Sequence, residues 1–207
     1  LKSPLFEVED RELRDVFLDD NPSWKFHGAE LDFAFNIATG VGKSRLIAAY
    51  IAYLFLSGDS KHFVIVAPRS EIVRKFKAEL IPGTPKFLFV DSDLISYTHV
   101  FGTENIATFN PDQIRSFDGP EIWVISPQAL TVGKSKLKSQ SEHSKGSVWD
   151  HLVSKDDLVV FFDESHHLGD MSSNDSKWQE EVRSLKPRML IGSSASAGTQ
   201  QDVNIIY

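Results

Sequence analysis

FNIATGVGKSRLIAAYIAYLFL, from Phe35 to Leu56, passes from one apolar run through a glycine-rich turn into another. The run before the turn, LDFAFNIA (Leu31–Ala38), is short and aromatic, so it reads as a buried strand. The run after it, Lys43 to Leu56, is apolar nearly all round and too long for a strand. It reads as a buried helix. A strand, a glycine turn and a helix in that order make a cradle for phosphate. The pattern is Gly-x-x-x-x-Gly-Lys-Ser/Thr. Gly42, Lys43 and Ser44 match its end and Gly40 adds a glycine, while Ile37 stands where the strict pattern has its first glycine. Glycines let backbone N–H groups approach an anion without Cβ clashes, and the helix aims its positive end at the same point. Lys43 is expected to reach the β- and γ-phosphates, and the Ser44 hydroxyl to ligate Mg²⁺. A glycine turn with a chance Lys-Ser is the plainer reading, but it leaves the flanking strand and helix unexplained.

Composition bounds the rest. The chain has 207 residues, 41% of them hydrophobic, which suits a globular protein with one large domain or two small ones. No apolar run is long enough to span a bilayer, so no membrane partner is expected. The start, LKSPLFEVEDRELRD, is charged and does not read as a signal peptide. There are no cysteines, which removes disulfides, thiol nucleophiles and Cys-based zinc sites and fits a cytoplasmic protein. The net charge of −7 counts against a chain whose main task is to coat nucleic acid. It leaves room for a motor that touches a backbone through a few local groups.

Further strands are expected at HFVIVAP (His62–Pro68), KFLFVDS, EIWVISP and DDLVVFFDE (Asp156–Glu164), with RMLIGSSAS as the last. A helix is expected after the second strand, with Ile72, Val73, Phe76 and Leu80 on one face. Another is expected in DSKWQEEVRSL, with Trp178, Val182 and Leu185 aligned and Pro187 beyond its end. The segment from Asp93 to Pro120 reads as irregular. TVGKSKLKSQSEHSKGS (Thr131–Ser147) is polar and reads as a mobile surface insertion; its Lys134, Lys136, Lys138 and Lys145 read as a solvated run. His62, His143 and His151 show no partner pattern and receive no role. Strands alternating with helices argue for an α/β fold, a mostly parallel sheet with helices on both faces.

The fifth strand ends in Asp163-Glu164-Ser165-His166-His167. An acid at the carboxyl end of a buried parallel strand stands where ligands bind in open α/β sheets. Asp163 is expected to hold Mg²⁺ through water, and Glu164 to orient or deprotonate the attacking water. Zinc on Asp163, Glu164, His166 and His167 is the competing reading, disfavoured because His-Glu-x-x-His is absent.

ATGVGKS, DESHH and GSSAS, in this order, resemble the first motor domain of superfamily 2 helicases and translocases of the DEAD/DEAH type. FNIATGVGKSRLIAAYIAYL with DLVVFFDESHH is more closely similar to the helicase subunit of type III restriction enzymes. The resemblance implies a RecA-like P-loop NTPase lobe over 31–207, with residues 1–30 as an extension packing on it and the insertion at about 131–147. It implies hydrolysis of ATP with Mg²⁺, coupled to movement on DNA, double-stranded in the restriction enzymes. Thr39, Gly40, Val41, Gly42, Lys43 and Ser44 fall on the family's phosphate loop. Asp163, Glu164 and His166 fall on its Asp-Glu-x-His box, with Lys43, Asp163 and Glu164 as the catalytic set. Ser194 and Ser196 fall on the motif that couples hydrolysis to movement, as does His166 within the box. Arg69 in VAPRSEIV and Gln128 in ISPQAL fall on segments that touch the nucleic-acid backbone. Ala197 departs from the usual proline, and no glutamine upstream of the loop can be assigned to reading adenine. Trp24 and Phe26 read as packing aromatics. Family motors add a second RecA-like lobe whose arginine reaches the ATP, worth about 10³–10⁵ in rate. This chain is expected to be one lobe of such a motor, with that lobe and a modification subunit as partners. The alternative is a nucleotide-dependent switch or assembly module without motor activity.

Overall fold

Residues along each apolar run alternate between two buried clusters, and that alternation builds the core. A computed structural model describes residues 31–36, 42–89, 95, 97–110, 119–131, 136–139, 146–163, 180–194 and 204–206. In β2 (His62–Val66), Phe63 and Ile65 join one cluster while Val64 joins the other with Val66. In β5 (Val159–Asp163), Val159 and Phe161 face the first side, Val160 and Phe162 the second. Strands buried on both faces read as continuous hydrophobic runs, as these do.

Among the described residues, seven strands form one sheet. The others are β1 (Leu31–Asn36), β3 (His99–Phe101), β4 (Glu121–Ile125), β6 (Met189–Ser194) and β7 (Asn204–Ile206). Their order is β3-β4-β2-β5-β6-β1-β7, and every pairing is parallel. Parallel neighbours require crossovers, and α-helices pack on both faces of the sheet. α1 (Lys43–Ser57) buries Ile47, Ile51 and Leu54 on the first face, beside Phe76 and Leu80 of α2 (Ser70–Leu80). α3 (Pro127–Thr131) and α4 (Val148–Val153) cover the second face through Leu130, Val148 and Leu152. α1 ends at Gly58, whose left-handed φ of 82° lets its N–H close back on the carbonyls of Leu54 and Phe55.

Several expectations change. KFLFVDS is not a strand in its described part. Residues 86–89 form turns, with the Phe87 and Phe89 rings packed edge to face and Phe89 buried in the first cluster. Aromatic burial, not pairing, explains its apolar content. The edge strand is instead β3, inside the segment read as irregular. Three residues carry no period, and Phe101 is held there by stacking on Trp123 at 4.9 Å. RMLIGSSAS is not the last strand, since β7 pairs with β1 beyond it. Within the polar stretch, a 3₁₀ turn at Lys136–Lys138 fully buries Leu137. Lys138 bonds Glu181 at 2.7 Å and lies over Trp149. Val182 and Leu185 are buried as the helical spacing requires. The extension 1–30 with Trp24 and Phe26, and Ile37, Lys134, His143, Lys145 and Trp178, lie outside the described residues.

The amino ends of β2, β4 and β5 carry a dense polar network. Glu121 accepts the Trp123 Nε1–H at 2.7 Å and pairs with His151 Nε2 at 3.0 Å. His62 Nδ1 meets Asp157 Oδ1 at 2.6 Å, and the Lys61 N–H donates to Asp157 Oδ2 at 2.7 Å. His62 and His151 therefore do have partners.

Candidate nucleotide site

The opposite, carboxyl edge of the sheet gathers the residues singled out by chemistry. β5 and β6 are inserted between β2 and β1 in the sheet order, so β6 separates the start of α1 from the end of β5. Lys43, the first residue of α1, reaches over β6 and places its Nζ 3.5 Å from Asp163 Oδ1. Both side chains are largely buried, at 14% and 8% exposure.

Local backbone explains the start of α1. Gly42 has φ 101° and ψ 35°, a left-handed conformation that a side chain would strain. Its carbonyl accepts the N–H groups of Arg45 at 2.9 Å and Leu46 at 3.1 Å, closing the first turn. Gly42 has no side chain to cap this N-terminus, and no acid stands in the first turn of the helix. The positive end of the helix dipole is left for an anion to meet. An ammonium, a hydroxyl on Ser44 and a carboxylate thus lie around an uncompensated helix start. That donor set fits a nucleotide phosphate with Mg²⁺. Thr39, Gly40 and Val41 lie outside the described residues.

Asp163 is held from the neighbouring strand. It stands opposite Ser193 in the β5–β6 register. The Ser193 hydroxyl lies 3.1 Å from the Phe162 carbonyl oxygen and 3.3 Å from Asp163 Oδ1. Sequence reasoning passed over Ser193 for Ser194 and Ser196. The signal available was alternation: Ile191 belongs to the cluster on the α1 side of the sheet, so Ser193 shares its face with Lys43 and Asp163. An apolar cleft beneath, lined by Phe35, Leu46, Tyr50 and Phe161, gives this trio a packed floor. Tyr50 packs edge to face on Phe161, and its burial, then the nearby Tyr53, raises its pKa.

The other expected residues divide. Arg69 is exposed in extended backbone before α2, and Gln128 is exposed in α3. They follow the adjacent strands β2 and β4, so both stand on the carboxyl edge that carries Lys43. Ser194 closes β6. Glu164, His166 and Ser196 lie outside the described residues, as does His167. Among the described residues no cluster of histidines and acids fits a metal ion by itself, and no helix is long and apolar enough to cross a membrane.

A family profile described as "Type III restriction enzyme, res subunit" matches residues 18–197. The probable type III restriction-modification enzyme HindVIP Res subunit of Haemophilus influenzae is 32% identical over 176 residues, covering 81% of this chain and 32% of that protein. This chain therefore spans about a third of the length of that relative. Among solved structures, the Sulfolobus solfataricus SWI2/SNF2 ATPase core in complex with dsDNA aligns with a TM-score of 0.50 at 14% identity, over 83% of this chain and 30% of that one. A nuclease-deletion mutant of the Type ISP restriction-modification enzyme LlaGI, with a DNA substrate mimic, aligns with a TM-score of 0.50 at 12% identity, over 91% of this chain and 17% of that one. These two likenesses speak for the fold alone, a RecA-like parallel α/β sheet.

Proposed function

Because the chain belongs to the family of type III restriction enzyme Res subunits, we infer that it is the ATP-binding first lobe of a DNA translocase or helicase. The observation that carries the reading is the approach of Lys43 to Asp163 across β6, at a helix start whose N-cap is a left-handed glycine. In this reading Thr39 to Ser44 wrap the phosphates with backbone N–H groups, and Lys43 holds the β- and γ-phosphates. Ser44 and Asp163 hold Mg²⁺, and Glu164 orients the attacking water and takes its proton. Bound Mg²⁺ supplies positive charge against the charge of the transferring phosphoryl group. His166, Ser194 and Ser196 link the site to movement on DNA, and Arg69 and Gln128 contact the DNA backbone on the same edge. The proposed partners are double-stranded DNA, a second RecA-like lobe that brings an arginine to the ATP, and a modification subunit. A cytoplasmic location fits a motor acting on DNA. No observation favours the switch module.

The test is titration of a fluorescent ATP analogue with Mg²⁺ into the wild-type protein and into Lys43→Ala. Wild type is expected to bind, and the variant to lose binding at least tenfold while keeping its thermal midpoint. Undiminished binding by Lys43→Ala would remove the base of this reading. In the protein that carries the second lobe, ATP hydrolysis that neither single- nor double-stranded DNA stimulates would remove the motor.

A further inference from the structure

Ser193 belongs to none of the roles assigned so far, yet it touches the carboxylate on which the proposed chemistry depends. It is 2% exposed. Its partner is fixed by sheet register, because Asp163 pairs with Ser193 while Phe35 of β1 pairs with Ser193 from the other side. The hydroxyl therefore sits on the central strand between the strand that feeds the phosphate loop and the strand that ends in the acid.

The hydroxyl has a single proton and two acceptors near it, the Phe162 carbonyl at 3.1 Å and Asp163 Oδ1 at 3.3 Å. A hydroxyl rotates to suit its surroundings, so the proton can serve either acceptor without backbone movement. Lys43 Nζ lies on the same oxygen, Oδ1, at 3.5 Å. Two donors thus share one carboxylate oxygen. A lysine that turns to phosphate withdraws from Oδ1. The serine does not leave, because β6 holds its backbone.

We propose that Ser193 is a positioning residue for Asp163, anchoring Oδ1 when Lys43 engages phosphate, so that the carboxylate stays turned toward the metal. The proposal rests on the nucleotide reading above and adds a residue to it. Partners of a metal-holding carboxylate are typically worth about 10–100-fold in metal affinity. Ser193→Ala leaves Oδ1 without its fixed donor once Lys43 has moved. Ser193→Thr keeps a hydroxyl at the same place on a strand that suits a β-branched residue.

The experiment is equilibrium binding of a fluorescent ATP analogue to the purified protein, with Mg²⁺ varied and with Mg²⁺ removed by chelation. Ser193→Ala is expected to raise the Mg²⁺ concentration for half-maximal enhancement of binding about tenfold, with Mg²⁺-free binding unchanged. Ser193→Thr is expected to restore the wild-type midpoint. A merely structural serine would alter both arms together. An unchanged Mg²⁺ midpoint in Ser193→Ala overturns the proposal, and so does equal impairment in Ser193→Thr. A wild-type protein whose nucleotide binding ignores Mg²⁺ overturns the parent reading as well, and so separates the two failures.

Discussion

At the carboxyl edge of the sheet, Asp163 has Lys43 at 3.5 Å and Ser193 at 3.3 Å. At the amino edge, Glu121 has the Trp123 N–H at 2.7 Å and His151 at 3.0 Å, and His62 holds Asp157 at 2.6 Å. Both edges bury carboxylates, yet one set of contacts is long and the other short. Hydrogen bonds weaken toward the long limit, so the Asp163 contacts cost less to give up. The Glu121 contacts lie inside the core, where Glu121 is only 2% exposed. A buried polar cluster whose members pair with one another ties strands together. In the proposed reading, the same strands therefore carry a working end and a fastening end.

The largest effect expected from this contrast is at Glu121. Glu121→Ala strands the Trp123 N–H inside the core and takes from His151 its carboxylate partner. Breaking a buried charged network by removing one partner costs about 3–5 kcal/mol. Urea denaturation should show that loss, while nucleotide affinity of the folded variant stays at the wild-type value. If the alanine variant does not fold, Glu121→Gln keeps the shape and should lie between it and wild type. A loss under about 1 kcal/mol, the range of an exposed pair, would break the comparison.

The next effect is a pH dependence. Burial alone would raise the pKa of Glu121. The His151 hydrogen bond and charge, the Trp123 N–H and the charge of His62 outweigh it, so the group lies below its ordinary 4.5. Asp157 follows the same logic: burial raises it, but the His62 and Lys61 hydrogen bonds hold it below 3.8. A carboxylate with a depressed folded pKa binds protons more readily when unfolded. Its stabilisation is full above the unfolded value and is lost as pH falls through the folded one. Stability should therefore decline once pH drops below 4.5, the ordinary value of Glu121. Asp157→Asn should flatten the lower part of that decline. Urea midpoints measured from neutral to strongly acidic pH check this, and parallel curves for the two proteins would count against the fastening role.

The working end was the more legible of the two. Gly42-Lys43-Ser44 and the acid ending LVVFF are local patterns, each carried by one strand and its turn. Their meeting over β6 follows from the sheet order, and the expected parallel α/β architecture holds. The fastening end depends on residues far apart in the chain. His62 and Asp157 are 95 residues apart, Glu121 and His151 30. No periodicity links them, so the two histidines looked partnerless. Ser193 was hidden for a related reason, since its contact with Asp163 exists only in the β5–β6 register. β3 is too short to show alternation, and stacking on Trp123 marks it. Phe87 and Phe89 mimic a strand in composition because they fill the core from a turn. Glu164, His166 and Ser196, read from the sequence, lie outside the described residues.

The smallest effect on stability is expected at Asp163, and it sharpens the contrast because the substitution matches the one at Glu121. Asp163→Ala removes a carboxylate that is nearly as buried, at 8% side-chain exposure. Its two contacts among the described residues are long, and both fall on one oxygen. Lys43, at 14% side-chain exposure, keeps some access to water when the partner is gone. Groups set aside for ligands tend to add little to folding, so the loss should be about 1 kcal/mol or less. The same variant should abolish the Mg²⁺-dependent part of nucleotide binding. Urea denaturation of Asp163→Ala beside Glu121→Ala, with nucleotide titration of both, gives the two quantities together. Opposite rankings in the two assays uphold the division of the strands. Equal destabilisation by the two alanines would mean that the carboxyl edge also fastens the sheet, and Asp163 would then be too well held to exchange Lys43 for a metal.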